Sequence, residues 1–330
     1  MKAIIPVAGV GSKLRPHTNT NPKVMLNVAG KPIIAHIMDR LIEEKIDTAI
    51  FVVGYLGDKI EKFVRANYSS VNLKFVEQKE AKGLGHAIYM AQEFMDDSPI
   101  LITLGDTIFD VNLKEVLKSK TSSLGVHSVE NPERFGVALK EGNYIENLVE
   151  KPKTFLSKLA LVGLYYIKSG VNLKKGLKEL LDKDIKTNGE YQLTDALQLM
   201  IKNGEKFTTF EVDGWFDCGK SETLLATNRH ILHKEFLNGK RTDFETDNSQ
   251  IIPPVSIGEN VKIKNSIIGP YVSISCGSTV ENSVIRNSIL NKNSILTYSV
   301  IESSIIGENA SVVGTFKQVN VGDYSEVILS

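Results

Sequence analysis

The chain has 330 residues, of which 42% are hydrophobic and 24% charged, with 39 basic and 39 acidic side chains and a net charge of +0. This is an ordinary globular composition, and its balance gives no footing for a basic nucleic-acid surface or for attachment to an anionic membrane. Apolar runs such as 49–53 fall far short of the ~20 residues of a membrane span. No secretory apolar segment follows Met1, and Cys218 and Cys276 lie far apart outside any metal motif. Free thiols in a reducing compartment, and so a cytoplasmic location, are expected.

Residues 3–25 read AIIPVAGVGSKLRPHTNTNPKVM. A short buried strand ending in a Gly-rich turn places backbone N–H groups where open α/β sheets bind ligands. Gly9 and Gly11 let the backbone approach a phosphate. Lys13, Arg15 and Lys23 supply three cations within eleven residues, enough to meet a triphosphate. The third Gly of a dinucleotide fingerprint and the GxxxxGK[ST] spacing are both missing, so the turn alone does not name a ligand.

Residues 31–46 carry Ile33, Ile34, Ile37, Met38, Leu41 and Ile42 at helical spacing, an amphipathic helix. A β-branched strand starts at Thr48, a helix covers 58–68, a strand 71–78, a helix 85–95 and a strand 99–106. This alternation predicts a doubly wound α/β sheet with ligands beyond the strand carboxyl ends. Segments 123–129, 135–140, 144–151 and 160–168 read as largely antiparallel strands. Residues 191–204 read as a helix stopped at Gly204, and 206–219 as a strand followed by a turn.

From about 250 an aliphatic residue recurs roughly every six positions between small and polar ones. The expected inward set is Ile257, Val261, Ile263, Ile267, Val272, Ile274, Val280, Ile285, Ile289, Ile295, Val300 and Ile305. Short strands with Gly and Asn at the corners predict a parallel β-helix of four or five coils, a β-sandwich being the alternative. The tail 316–329 is less regular and suits a cap. Acyltransferases on such repeats use a His base, but His17, His36, His86, His127, His230 and His233 all precede the repeats. An oligomerisation or regulatory module is expected. The domains are then a catalytic one at 1–240 and the repeats at 250–330.

Asp106 ends a buried strand, where a carboxylate is costly unless compensated. It reads as a helix N-cap or, more sharply, as a divalent-metal ligand with Asp217 as its partner. Mg²⁺ favours one or two carboxylates plus phosphate oxygens and water. Asp110 and Asp213 are the lesser alternatives. Gln78 carries an amide able to pair with a base edge, and Gly83 allows close approach to the ring. His86 reads as a helix-start or supporting residue rather than a general base.

Gly9, Gly11, Ser12, Lys13, Leu14, Pro16, Thr18, Pro22 and Lys23 together resemble the sugar-phosphate nucleotidylyltransferase signature G-x-G-[ST]-R-[LM]-x-P-x-[ST]-x-x-x-P-K. Lys13 stands where that family has Arg, keeping the charge but losing the bidentate fork. The resemblance implies a Rossmann-like mixed sheet followed by a left-handed β-helix. It implies that the amides of Gly9 to Ser12, with Lys13 and Arg15, hold the β- and γ-phosphates of a nucleoside triphosphate, and that Ala8 also binds the nucleotide. Lys23 then contacts the α-phosphate and a sugar 1-phosphate, Asp106 and Asp217 hold Mg²⁺, and Gln78 and Gly83 bind the base. Gly136, Glu150, Lys151, Gly163 and Tyr165 match the segments that hold the sugar and its phosphate. The implied reaction moves a nucleoside monophosphate onto a sugar 1-phosphate, releasing pyrophosphate. Similarity to glucose-1-phosphate thymidylyl- and uridylyltransferases suggests glucose 1-phosphate with dTTP or UTP. The opening PVAGVGS leans to the uridylyl group and the β-helix to the thymidylyl group, so the base stays open. The alternative is a non-catalytic subunit that senses nucleotide sugar, which Lys13 alone favours.

Overall fold

The computed structural model describes residues 1–239, 244 and 246–314. The chain divides into two units: Met1–Leu26 with Lys31–Thr227, and Asn27–Gly30 with the chain from Asn228 onward.

The first unit is built on a nine-stranded mixed sheet. Lys2–Pro6, all apolar between its ends, lies between Thr48–Val53 and Ile100–Thr103 and pairs parallel with both. Asn72–Glu77 continues the parallel set beyond Thr48–Val53. The chain turns outward from its first strand through the second and third and then returns to the other side for the fourth. The order therefore reverses beside Lys2–Pro6, which is where an open α/β sheet leaves a crevice at its carboxyl end. Leu159–Ile167 joins antiparallel to Ile100–Thr103, and the hairpin Gly136–Glu141 and Tyr144–Glu150 follows. Ser122–Ser128 pairs with Leu159–Ile167 and, in parallel, with Phe207–Glu211.

The expected helices form at Ile33–Glu43, Gly57–Asn67, Leu84–Met90 and Leu193–Lys202. Ile33, Ile34, Ile37, Met38 and Leu41 are buried as their spacing predicts, while Ile42 is 38% exposed. Three further helices were not expected, the first a single turn at Leu113–Val116. Gly170–Asp182 is capped by the Ser169 hydroxyl, which accepts from Asn172 N–H, and it buries Leu173, Leu177 and Leu180. Ser221–Leu237 follows the last strand of the first unit. The turn expected after 206–211 is instead a strand, Gly214–Asp217, paired antiparallel with a second unforeseen strand, Thr107–Asp110.

The second unit contains three parallel four-stranded sheets, the stacked faces of a β-helix. Ile251, Ile268, Ile285 and Ile301 occupy successive turns of one face. At the corners, Asn248, Asn265 and Asn282 take positive φ of 46°, 48° and 50°, a region where Asn is tolerated. Their amides form a ladder, Asn248 Nδ2 donating to Asn265 Oδ1 at 3.0 Å and Asn265 Nδ2 to Asn282 Oδ1 at 3.1 Å. Beside it, the N–H groups of Ser266, Ser283 and Ser299 each donate to the hydroxyl one turn earlier, on Ser249, Ser266 and Ser283.

The inward assignment holds for Ile257, Ile263, Val272, Ile274, Val280, Ile285 and Ile289, all buried. It fails for Ile267, Ile295 and Val300, which are 36%, 44% and 82% exposed. The next residues, Ile268, Leu296 and Ile301, turn inward instead. Successive strand residues face opposite sides, so a one-position error exchanges core and surface. Val261, partly buried, still packs against the core, and Ile305 is partly buried.

Asn228, fully buried, binds this unit together: its Oδ1 accepts from Ala29 N–H at 2.8 Å and Ser273 Oγ at 2.6 Å, and its Nδ2 donates to Tyr271 O at 3.2 Å. The tail 316–329, expected to cap the solenoid, lies outside the described residues. Among the described residues no helix is long and apolar enough to cross a membrane.

Ile285→Ala is expected to lower the stability of the β-helix by about 2–5 kcal/mol, whereas Ile267→Ala costs under ~1 kcal/mol. Urea midpoints followed by circular dichroism check the contrast.

Candidate active site

Two strand ends meet at the crevice beside Lys2–Pro6. Past Pro6 the chain runs through Val7, Ala8 and Gly9, and past Thr103 through Leu104, Gly105 and Asp106. They pack so closely that a Cβ on Gly105 would lie 2.3 Å from Val7 Cγ1, so only Gly fits there. Gly11 adopts φ +67°, and its missing Cβ leaves room for Thr18 and Lys23. A short 3₁₀ turn, Ser12–Leu14, follows, with Leu14 buried and Lys13 and Arg15 exposed. Pro22 then leads into a second 3₁₀ turn, Lys23–Met25, which sets the Lys23 side chain in the crevice.

Lys23 Nζ donates to Asp106 Oδ2 at 2.6 Å and lies 3.8 Å from Asp217 Oδ1. The unforeseen strand pair accounts for the meeting of the two carboxylates. Asp217 pairs with Thr107, the residue after Asp106, and Cys218 N–H donates to Asp106 O at 3.0 Å. Thr107 Oγ1 donates to Asp106 Oδ1 at 3.1 Å. Burial pushes the Asp217 carboxyl above its ordinary range, with the Asp106 charge adding to the rise and the Lys23 and Lys13 charges opposing it. Lys13 therefore reaches this centre electrostatically although its side chain is exposed. Burial pushes the Cys218 thiol up to about 12, so it is an inert packing group rather than a nucleophile.

A cavity of about 340 Å³ opens on one side, lined by Ala8, Gly9, Lys23, Gln78, Gly83 and Asp106 among others. Gly83 stands at φ +103°, and a Cβ there would come within 2.6 Å of Tyr191 O. Gln78 is buried, and its Nε2 donates to Gly83 O at 3.2 Å.

A second cavity of about 230 Å³ shares Asp106, Leu84 and Leu104 with the first and is lined by Gly136, Glu150, Gly163, Tyr165 and Asp217. Glu150 Oε2 accepts from Thr194 Oγ1 at 2.7 Å. Gly136 admits that carboxylate, since a Cβ there would be 2.9 Å from Glu150 Oε2. Gly163, at φ +87°, makes room for Leu104 where the strand register shifts. Tyr165 is deeply buried, and burial together with the Glu150 charge holds its phenol protonated.

The structure thus brings Ala8, Gly9, Lys23, Gln78, Gly83, Asp106, Gly136, Glu150, Gly163, Tyr165 and Asp217 to two adjoining cavities. Gly11, Ser12, Lys13 and Arg15 lie outside both linings, as does Lys151, whose Nζ is 3.7 Å from Glu150 Oε1. Asp110 pairs with Gly214 at the far end of the strand pair from Asp217. Sequence reasoning missed Thr194, Arg134, Trp215 and Glu190, which line the cavities. Thr194 was visible as a hydroxyl in the first turn of an expected helix, but nothing local tied it to Glu150.

An α/β sheet with a Gly-rich turn and a lysine-bridged carboxylate pair at its switch point has the build of a nucleotide-handling enzyme. The nucleotidyl transferase family model matches residues 2–234, and the chain belongs to that family. It is 34% identical over 347 residues to the bifunctional protein GlmU of Methanocaldococcus jannaschii, covering 94% of this chain and 78% of that one. It is 26% identical to a glucose-1-phosphate thymidylyltransferase of Streptomyces antibioticus, over 99% of both chains. A UDP-glucose pyrophosphorylase in complex with UDP-glucose superposes with TM-score 0.60 at 27% identity, over 71% of this chain and 98% of that one. These relatives are sugar-1-phosphate nucleotidyltransferases, and the chain is an enzyme of nucleotidyl transfer to a sugar phosphate.

Gly83→Ala is expected to cost about 1–3 kcal/mol, from the strained φ and the clash with Tyr191 O. Thermal unfolding measures it, and Gly9→Ala, with no atom near its added Cβ, serves as the neutral control.

Proposed function

We propose that the protein, acting in the cytoplasm, condenses UTP or dTTP with a hexose 1-phosphate, glucose 1-phosphate first, to give a nucleotide sugar and pyrophosphate. The observation that carries this reading is the pair of cavities joined at Asp106. One is lined by Gln78 and Gly83, suited to a base, and by Ala8 and Gly9 of the turn. The other has Gly136, Glu150, Gly163 and Tyr165 for a sugar. Two reactants seated in them meet at the carboxylate pair, as an in-line transfer demands.

The attacking group is a phosphate oxygen of the sugar 1-phosphate, already anionic, so no general base is called for. It forms the new bond to the α-phosphorus while the bond to pyrophosphate breaks. Lys23, which lines the larger cavity and touches the shared Asp106, neutralises charge developing at the α-phosphate. Lys13 and Arg15, with amides of the turn from Ala8 through Gly11 to Ser12, hold the β- and γ-phosphates. Lys151 and the Glu150 carboxylate, fixed by Thr194, hold sugar hydroxyls and phosphate.

Asp106 and Asp217 suit Mg²⁺. They already share one cation, Lys23, and among the described residues no group of three or more metal-binding side chains exists. Two carboxylates leave the remaining positions to phosphate oxygens and water, the arrangement Mg²⁺ prefers. When bound, the ion supplies charge neutralisation at the α-phosphate.

The domains we assign are catalytic at 1–240 and β-helical at 250–330. We assign the β-helix to self-association. Its support is a stripe across three successive turns, Ile267 and Val300 exposed and Val284 partly exposed between them. Val284→Asp with Val300→Asp is expected to lower the oligomer measured by light scattering, and an unchanged mass would remove that assignment.

Pyrophosphate release with Mg²⁺, across five nucleoside triphosphates and several sugar 1-phosphates, tests the reaction. A pyrimidine triphosphate with glucose 1-phosphate is expected to lead the grid. Asp106→Asn and Lys23→Met should each lower kcat by at least about a hundredfold, while Lys13→Arg should raise it. Silence across the grid would sink the reading.

A further inference from the structure

Gln78 lines the larger cavity, and the direction of its amide decides which bases that cavity accepts. A carboxamide presents a donor on one side and an acceptor on the other. Two neighbours fix which is which. Gly83 O can only accept, so the atom 3.2 Å from it is Nε2. The same Nε2 lies 3.0 Å from His86 Nδ1. With one N–H on Gly83 O, the other points to His86, and the imidazole is the tautomer with Nδ1 bare and Nε2 protonated. Both Gln78 amide hydrogens are thereby committed. Oε1 is not among the buried side-chain atoms lacking a partner, a class that among the described residues holds Asp195 Oδ2 alone. Both hydrogen bonds of the Gln78 side chain are made by Nε2 and none by Oε1 among the described residues, so Oε1 is accessible, and Gln78 lines the cavity.

We propose that His86 is the positioning residue for base selection: it holds the Gln78 amide with its carbonyl oxygen toward the base, so the cavity takes bases with a ring N–H and rejects those with a bare ring nitrogen. This rests on the nucleotide reading of the cavity given above. Uracil and thymine carry N3–H, which Oε1 accepts, whereas cytosine presents a lone pair at the same place and meets another lone pair. UTP and CTP have nearly the same size, so the contrast isolates the hydrogen bond from shape. His86 itself lies outside the cavity lining and touches the base through Gln78 alone.

The arrangement also makes the preference depend on pH. A protonated imidazole carries N–H on both nitrogens, so Nδ1 can no longer accept from Gln78, and the amide loses the partner that fixed it. Burial holds the His86 pKa below its ordinary 6.5, with Lys82 lowering it further and Glu80 opposing. The Tyr191 ring stacks 6.5 Å from the imidazole, and Lys186 Nζ lies over the Tyr191 ring, 4.8 Å from its centroid, and is paired with Asp184. His86 is thus neutral at neutral pH. The preference for UTP is complete above the His86 pKa and is lost as pH falls through it, below 6.5.

The test is calorimetric binding of UTP and of CTP to the full chain in EDTA, from pH 5 to pH 8, with His86→Leu and His86→Asn. At pH 8 the wild type is expected to favour UTP by about tenfold or more, and His86→Leu to lose about tenfold of that preference. His86→Asn, which restores an acceptor near the Nδ1 position, should keep the preference and flatten its pH dependence. A UTP-to-CTP ratio unaltered in His86→Leu, or a wild-type ratio flat across the pH range, would overturn the proposal. Should His86→Leu fail to fold, the wild-type and His86→Asn pH profiles still decide it. Binding of neither nucleotide overturns the nucleotide reading together with this one, whereas binding without pyrophosphate release in Mg²⁺ overturns the transferase reading alone.

Discussion

Two carboxylates and one ammonium set the terms for the catalytic unit. Asp106 and Asp217 repel each other, and burial adds to the cost of charging Asp217. Lys23 offsets both by touching one carboxylate at 2.6 Å and approaching the other at 3.8 Å. The geometry is supplied from three distant parts of the chain: a 3₁₀ turn after Pro22, the end of a buried parallel strand, and a strand pair that lays Asp217 beside Thr107. Closely packed glycines at 105 and 219 keep the backbone near enough for the charges to meet. The same cluster stands at the boundary of the two cavities, which share Asp106 in their linings.

Much of this was legible in the sequence, and the reasons differ by element. The parallel core was visible because its strands are β-branched runs closed by Gly or Asp and separated by helices of clear 3.6 periodicity. The Gly-rich turn and Lys23 were visible because glycine, proline and charge occur there in an order that few turns share. The pairing of Gly214–Asp217 with Thr107–Asp110 was not, because each strand is four residues long and contacts the other across more than a hundred positions. The helix Gly170–Asp182 carries three lysines and two glycines, which diluted its pattern although Leu173, Leu177 and Leu180 are fully buried. In the repeats, Ile267-Ile268 and Val300-Ile301 place two equivalent aliphatics side by side. Nothing local chooses between them, and the choice falls to the stacking of the neighbouring turns.

Three polar side chains with little exposure follow one rule: each is held by a partner that also fixes its orientation. Glu150 is held by Thr194, Gln78 by Gly83 and His86, and Asn228 by Ala29, Tyr271 and Ser273. A buried amide or carboxylate without such partners costs about 1–3 kcal/mol. The compensation is a side chain whose donor and acceptor ends are defined, as recognition by hydrogen bonding requires.

The Asn and Ser ladders repeat at a separation of 17 residues and then 16. Each turn is closed by hydrogen bonds to the turn before it, and contacts run between adjacent turns alone. Length in the β-helix is therefore quantised. A tandem duplication of one whole turn adds a rung that its neighbours accept without alteration, whereas an insertion of a few residues shears every ladder at once. Lineages can lengthen or shorten the solenoid by copying or dropping whole turns, while the sheet that carries the carboxylates keeps its own dimensions.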